Sequence, residues 1–107
     1  MSTPDRLEHE FTLLTAAARY NELRMRDALA PPPDEPGDRL SADEALEMLA
    51  LGEVLARKAG YGRQLGVRSA RAAGASWARI GAAMGTTKQS AWEAHLRWLD
   101  EQGIAEE

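Results

Sequence analysis

GASWARIGAAMGTTKQSAWEAHLRW, residues 74–98, decides the fold. Ser76 is placed to cap a short helix from Trp77 to Met84, because a hydroxyl ahead of a helix accepts a hydrogen bond from one of its unsatisfied N–H groups. Ile80 and Met84, four residues apart, share a face of that helix. Ala82 and Ala83 are small enough for a neighbouring helix to come close. Gly85 supplies the positive φ of a tight turn. Thr87 then caps a longer helix running to about Glu101, on which Ala91, Ala94 and Trp98 face inward. A short helix, a glycine turn and a capped longer helix are the parts of a helix-turn-helix, here over residues 76–101.

Working back from this pair, residues 63–73 read as a helix with Leu65, Val67, Ala70 and Ala73 inward and Arg63, Arg68 and Arg71 facing solvent. Gly74 stops it in the left-handed position that follows a helix C-terminus. Gly60-Tyr61-Gly62 predicts a bend, since two glycines in a helix interior cost about 1 kcal/mol each. Upstream, Ser41 and Glu44 form a capping box with Leu40 as a staple. From Ala42 to Ala59, the apolar residues Leu46, Met48, Leu49, Leu51, Val54 and Leu55 cover most of the circumference, which predicts a central, buried helix. Arg57, one turn after Glu53, is its expected partner.

PPPDEPGD, residues 31–38, cannot continue a helix and reads as an exposed, stiff linker over 31–40. Residues 5–29 before it read as one helix about 37 Å long at 1.5 Å per residue, longer than a small domain needs. Leu7, Phe11, Leu14, Ala18, Met25 and Leu29 lie on one face. Leu13, Ala16, Ala17, Tyr20 and Leu23 make a second, weaker strip. Two apolar strips imply two partners: the chain's own body, and a second copy docked on Leu7, Phe11, Leu14, Ala18 and Met25. The expected organisation is all-α: a long N-terminal dimerisation helix (1–30), a Pro-rich linker (31–40) and a helical DNA-binding domain (41–107).

The 107 residues contain no cysteine, which removes disulfide and thiolate-metal frameworks and suits a reducing cytoplasm. No leader-like or membrane-spanning apolar run is present. His9 and His95 are solitary, so no metal site is expected. No serine has a histidine–carboxylate partner and the glycines form no phosphate loop; an enzyme or a cofactor is the least expected outcome. Charge is more informative. Residues 1–53 hold 12 acids against 5 bases, whereas residues 54–107 hold 5 acids against 8 bases. Between Val54 and Trp92 stand Arg57, Lys58, Arg63, Arg68, Arg71, Arg79 and Lys88 and no acid. A long single-sign run inside an acidic protein points to a polyanion.

Residues 63–98 resemble the helix-turn-helix of small bacterial DNA-binding proteins, especially actinobacterial ones, and are similar to the last domain of sigma factors. Gly85 after Met84 and the inward Ala91 carry the likeness. Gly81 stands where such units usually have alanine and Thr86 where they usually have an aliphatic residue, which implies looser packing at the turn. The resemblance implies base or phosphate contact by Thr87, Lys88, Gln89 and Ser90, then by Trp92 and Glu93 one turn on. Side-chain chemistry agrees: glutamine pairs with adenine, lysine reaches guanine or phosphate, and hydroxyls suit phosphate oxygens. Arg79, Arg63, Arg68 and Arg71 extend a phosphate track. The resulting expectation is a transcriptional regulator, located in the cytoplasm at the nucleoid, that binds double-stranded DNA as a homodimer. Two other readings compete: an adaptor whose acidic N-terminal helix meets a basic partner such as a sigma factor or RNA polymerase surface, and a nucleoid protein of low sequence preference.

Overall fold

Thr12 interrupts the N-terminal segment. In the computed structural model, which describes residues 2–104, its hydroxyl accepts from the Thr15 N–H at 3.1 Å while the Thr15 hydroxyl accepts from the Thr12 N–H at 2.9 Å. This reciprocal cap starts a new helix, and Phe11 before it is extended at φ −115°. The expected single helix is therefore two, α1 (Pro4–Glu10) and α2 (Leu13–Ala28). The chain continues with α3 (Ala42–Ala72), α4 (Trp77–Ala83) and α5 (Lys88–Glu101). The fold is all-α, with no strand among the described residues.

The break changes which face is buried. In one continuous helix Leu7 would share a face with Leu14 and Met25. With the chain extended at Phe11, Leu7 instead turns inward beside Ala16 and Leu23. Part of the second, weaker strip is the core face: Ala16 and Leu23 are fully buried with Tyr20 packed against them, while Leu13 and Ala17 are exposed. Leu14, Ala18, Met25 and Leu29 point outward, Leu14 at 79 % and Leu29 at 82 % exposure. Leu7 and Phe11 thus leave the expected dimerisation set, because they pack inside their own unit.

Two compact units form, Met1–Gly60 and Tyr61–Glu107, and α3 runs through the boundary between them. The expected bend at Gly60-Tyr61-Gly62 is absent: both glycines are carried in helical conformation, and the intrahelical hydrogen bonds outweigh their propensity cost. In the first unit Ala50, Leu51 and Val54 of α3 pack on Leu7, Ala16 and Leu23. Full burial of a leucine side chain contributes about 1.5–3 kcal/mol. α3 is not buried all round, however, since Leu46 and Leu49 remain 49 % and 65 % exposed. Residues 31–40 consequently form a loop inside one unit rather than a linker between domains. Arg39 ties it down by donating to the carbonyls of Pro32 and Glu35, and Leu40 anchors its end on the core.

Three arginines fasten α1 and α2 to α3. Arg19 meets Glu47 side-on, with Nε and Nη2 each 2.9 Å from a carboxylate oxygen. Arg26 meets Glu44, whose other bonds complete the expected box with Ser41 at 3.0 and 3.1 Å. Arg57 reaches Asp5 at 2.8 Å and Glu8 at 3.3 Å, not Glu53 as its spacing suggested. The Arg26 guanidinium, helped by the Ser41 N–H, holds the Glu44 carboxyl down at about 2. Arg19 likewise depresses Glu47.

In the second unit Val67, Ile80 and Ala91 form the buried centre, flanked by Ala70, Ala75, Trp77 and Met84. Leu65 and Ala73, expected inward, are exposed, because the face of α3 that reaches α4 and α5 is the one bearing Gln64, Val67 and Ala70. No helix among the described residues is long and apolar enough to cross a membrane.

Candidate nucleic-acid interface

Local hydrogen bonding builds the α4–α5 hairpin much as its sequence suggests. The Ser76 hydroxyl accepts from the Arg79 N–H at 3.2 Å and the Thr87 hydroxyl from the Ser90 N–H at 3.0 Å. α4 ends in a Schellman motif: the Thr86 N–H reaches back to the Gly81 carbonyl at 2.8 Å and the Gly85 N–H to the Ala82 carbonyl at 3.2 Å. Gly85 takes φ +69°, a conformation unfavourable for a residue with a side chain. Gly74 closes α3 in the same way, with Ala75 bonded to the Ala70 carbonyl at 2.9 Å.

Gly81 is the joint of the hairpin. A Cβ there would lie 2.9 Å from the Lys88 nitrogen and from the carbonyl carbon and oxygen of Thr87. The start of α5 therefore rests on bare backbone of α4. Glycine where alanine is usual means closer packing, not the looser packing its sequence implied. Ala82 and Ala83, expected at the close approach, are exposed instead.

α5 is oriented by Ala91, His95 and Leu99, all buried, with Ala94 and Trp98 half-buried beside them. His95 was not foreseen as core, although its place four residues after Ala91 puts it on the inward face. Its Nδ1 lies 2.9 Å from the Gln64 side-chain oxygen, and its ring sits 5.5 Å from Trp77 and 5.6 Å from Trp98. This aromatic stack, anchored to α3 by a polar bond, fixes the rotation of α5 about its axis.

That rotation leaves Lys88, Gln89, Ser90, Trp92 and Glu93 exposed, and they divide between two sides. Lys88, Gln89 and Trp92 line one concavity with Trp77. Ser90 lines another with Thr86, Arg63 and Arg97. Arg97 escaped the sequence reading; it follows Ser90 and Ala94 at helical spacing, which is the signal that could have found it. Gln89 donates to Glu93 at 2.9 Å, which ties its amide to the next turn on the outer face of α5. Thr87 spends its hydroxyl locally, accepting from the Ser90 N–H and donating to the Ser90 Oγ at 3.0 Å. Thr87 therefore acts as the cap of α5.

The arginines also divide. Arg63, Arg68 and Arg79 are exposed in the second unit, as are Lys88 and Arg97. Arg71 donates to the Ala75 carbonyl at 2.9 Å and lies 5.1 Å from the centre of the Trp77 ring, so it braces the α3–α4 corner. Arg57 is consumed by its acids in the first unit and drops out of the basic run. No protein-family model, curated protein or solved structure matches this chain.

Proposed function

We propose that the protein binds duplex DNA through the α4–α5 hairpin, with the first turns of α5 in the major groove. What supports this reading most is the start of α5: a capped helix N-terminus, seated on α4 at Gly81, that presents Lys88, Gln89 and Ser90 to solvent with Arg63, Arg79 and Arg97 in the same unit. A major groove admits one helix, and side chains of its first turns reach the base edges. In this arrangement Gln89 and Lys88 read bases, and Glu93, already bonded to Gln89, can accept from a cytosine amino group. The Ser90 hydroxyl, Arg63 and Arg97 hold phosphates on one side of α5. Arg79 serves the backbone from α4.

A single hairpin spans few base pairs, so two copies set one helical turn apart, roughly 34 Å, would give the specificity of a transcriptional regulator. The acidic-adaptor reading is weaker, since Asp5, Glu8, Glu44 and Glu47 are already engaged by arginines of the same unit.

Duplexes selected from a random library provide the probe. Lys88→Ala combined with Gln89→Ala should weaken binding in an anisotropy titration at least tenfold, about 1.4 kcal/mol or more. Affinity of the unmodified chain should fall steeply with salt as counterions are released. Unchanged affinity in the double variant would remove α5 from the groove. Absence of any selected duplex would remove the DNA reading altogether.

A further inference from the structure

A cavity of about 150 Å³ opens in the second unit where the end of α3, the start of α4 and the middle of α5 meet. Trp77, Trp92 and His95 give it aromatic walls, and Leu96 and Leu99 complete them. His95 and Leu99 are buried at its inner end, while Arg71 and Trp92 are exposed at its outer end. No acidic side chain among the described residues lines it. The walls are fixed before any ligand arrives. The His95 ring lies 5.5 Å from Trp77 and 5.6 Å from Trp98, and its Nδ1 is 2.9 Å from the Gln64 side-chain oxygen. A site that needs no ordering loses less free energy on binding.

We infer that this cavity binds a small carboxylic acid built on a single aromatic ring, of which benzoate is the simplest. Volume sets the size: a void of about 150 Å³ accommodates one benzene-sized ring. The walls set the shape. A flat ring packs edge-on or offset against indole and imidazole, and such pairs gain more than their buried area alone supplies. Arg71 sets the charge. Its guanidinium carbon lies 5.1 Å from the centre of the Trp77 ring, so an anion paired with it arrives beside that indole. One of its N–H groups donates to the Ala75 carbonyl at 2.9 Å, and a guanidinium carries five such donors. A carboxylate matches that planar fork and accepts two parallel bonds from it. A neutral ring forgoes Arg71, and an acid without a ring forgoes the walls.

This site asks nothing of the DNA reading, and its test is made on the full chain without DNA. Sodium benzoate is titrated at constant ionic strength while nuclear magnetic resonance follows the indole N–H signals of the three tryptophans. Trp77 and Trp92, which line the cavity, should shift saturably and further than Trp98, with a dissociation constant in the submillimolar to millimolar range. Benzyl alcohol keeps the ring without the charge, and acetate keeps the charge without the ring. Each should bind about tenfold more weakly than benzoate.

Arg71→Gln should bring benzoate down to the level of benzyl alcohol. Because Arg71 also braces the α3–α4 corner, a second variant separates binding from folding. Ala72→Leu adds bulk at an exposed helical position that lines the cavity, and should abolish binding while the circular dichroism spectrum stays unchanged. Absence of a saturable shift in the millimolar range overturns the inference. So does equal affinity for benzyl alcohol, or benzoate binding that survives Ala72→Leu.

Discussion

The two units use arginine in opposite ways. In the first, Arg19, Arg26 and Arg57 each meet a carboxylate on another helix and act as fasteners between α1, α2 and α3. In the second, Arg71 braces the α3–α4 corner, and α4 and α5 are held by aromatic packing, a buried histidine and a glycine contact between backbones. Arg63, Arg79 and Arg97 are left on the surface. Residue type does not assign role here; neighbours do. Where acids and bases interleave, the charges are satisfied internally. Where acids are absent over a long stretch, Arg63, Arg79 and Lys88 stay exposed on the surface of their unit.

That contrast can be broken by unfolding. All three tryptophans, Trp77, Trp92 and Trp98, lie in the second unit. Their fluorescence follows that unit, while circular dichroism follows both. The largest effect expected is from Leu51→Ala, which empties a fully buried site in the first unit and should cost about 2–5 kcal/mol. Its urea transition by circular dichroism should fall ahead of the fluorescence transition. Coincident transitions would show that the units unfold together and that the contrast has no energetic counterpart.

Gly81→Ala should come next, at about 1–3 kcal/mol, because its methyl group must displace the backbone of Thr87 and Lys88. Here the fluorescence transition should fall first. The same variant shifts the start of α5 and should weaken any DNA complex, although residue 81 carries no group that reaches a base. A neutral Gly81→Ala would restore the looser packing read from the sequence.

Acid sharpens the comparison most gently. Glu44 titrates at about 2 in the folded chain against 4.5 without its partners, and Glu47 is lowered as well. The unfolded state therefore takes up protons first as pH falls. Stabilisation from these carboxylates is present above about 4.5 and is lost through about 2. Circular dichroism transitions measured at pH 7, 4 and 2 should decline over that window. Glu44→Gln should be less stable than the parent at pH 7 and converge with it near pH 2. A constant difference at all three values would show that the Arg26–Glu44 pair is not the source.

What the sequence determined by itself was those helix ends that a local cap or glycine turn fixes, not the break within the N-terminal segment or the continuity of α3 through Gly60. Ser41 with Glu44, Ser76, Thr87, Gly74 and Gly85 all act where they were read, because a cap or a Schellman turn is satisfied within three to five residues of chain. The Thr12–Thr15 cap was equally local, and went unread only because both threonines also fit the polar face of a longer helix. Tertiary structure alone decided which of the two apolar strips of α2 is core, whom Arg57 meets, and why residue 81 is glycine. Each answer depends on groups brought together from distant parts of the chain, and periodicity along one helix carries no information about the surface it will meet.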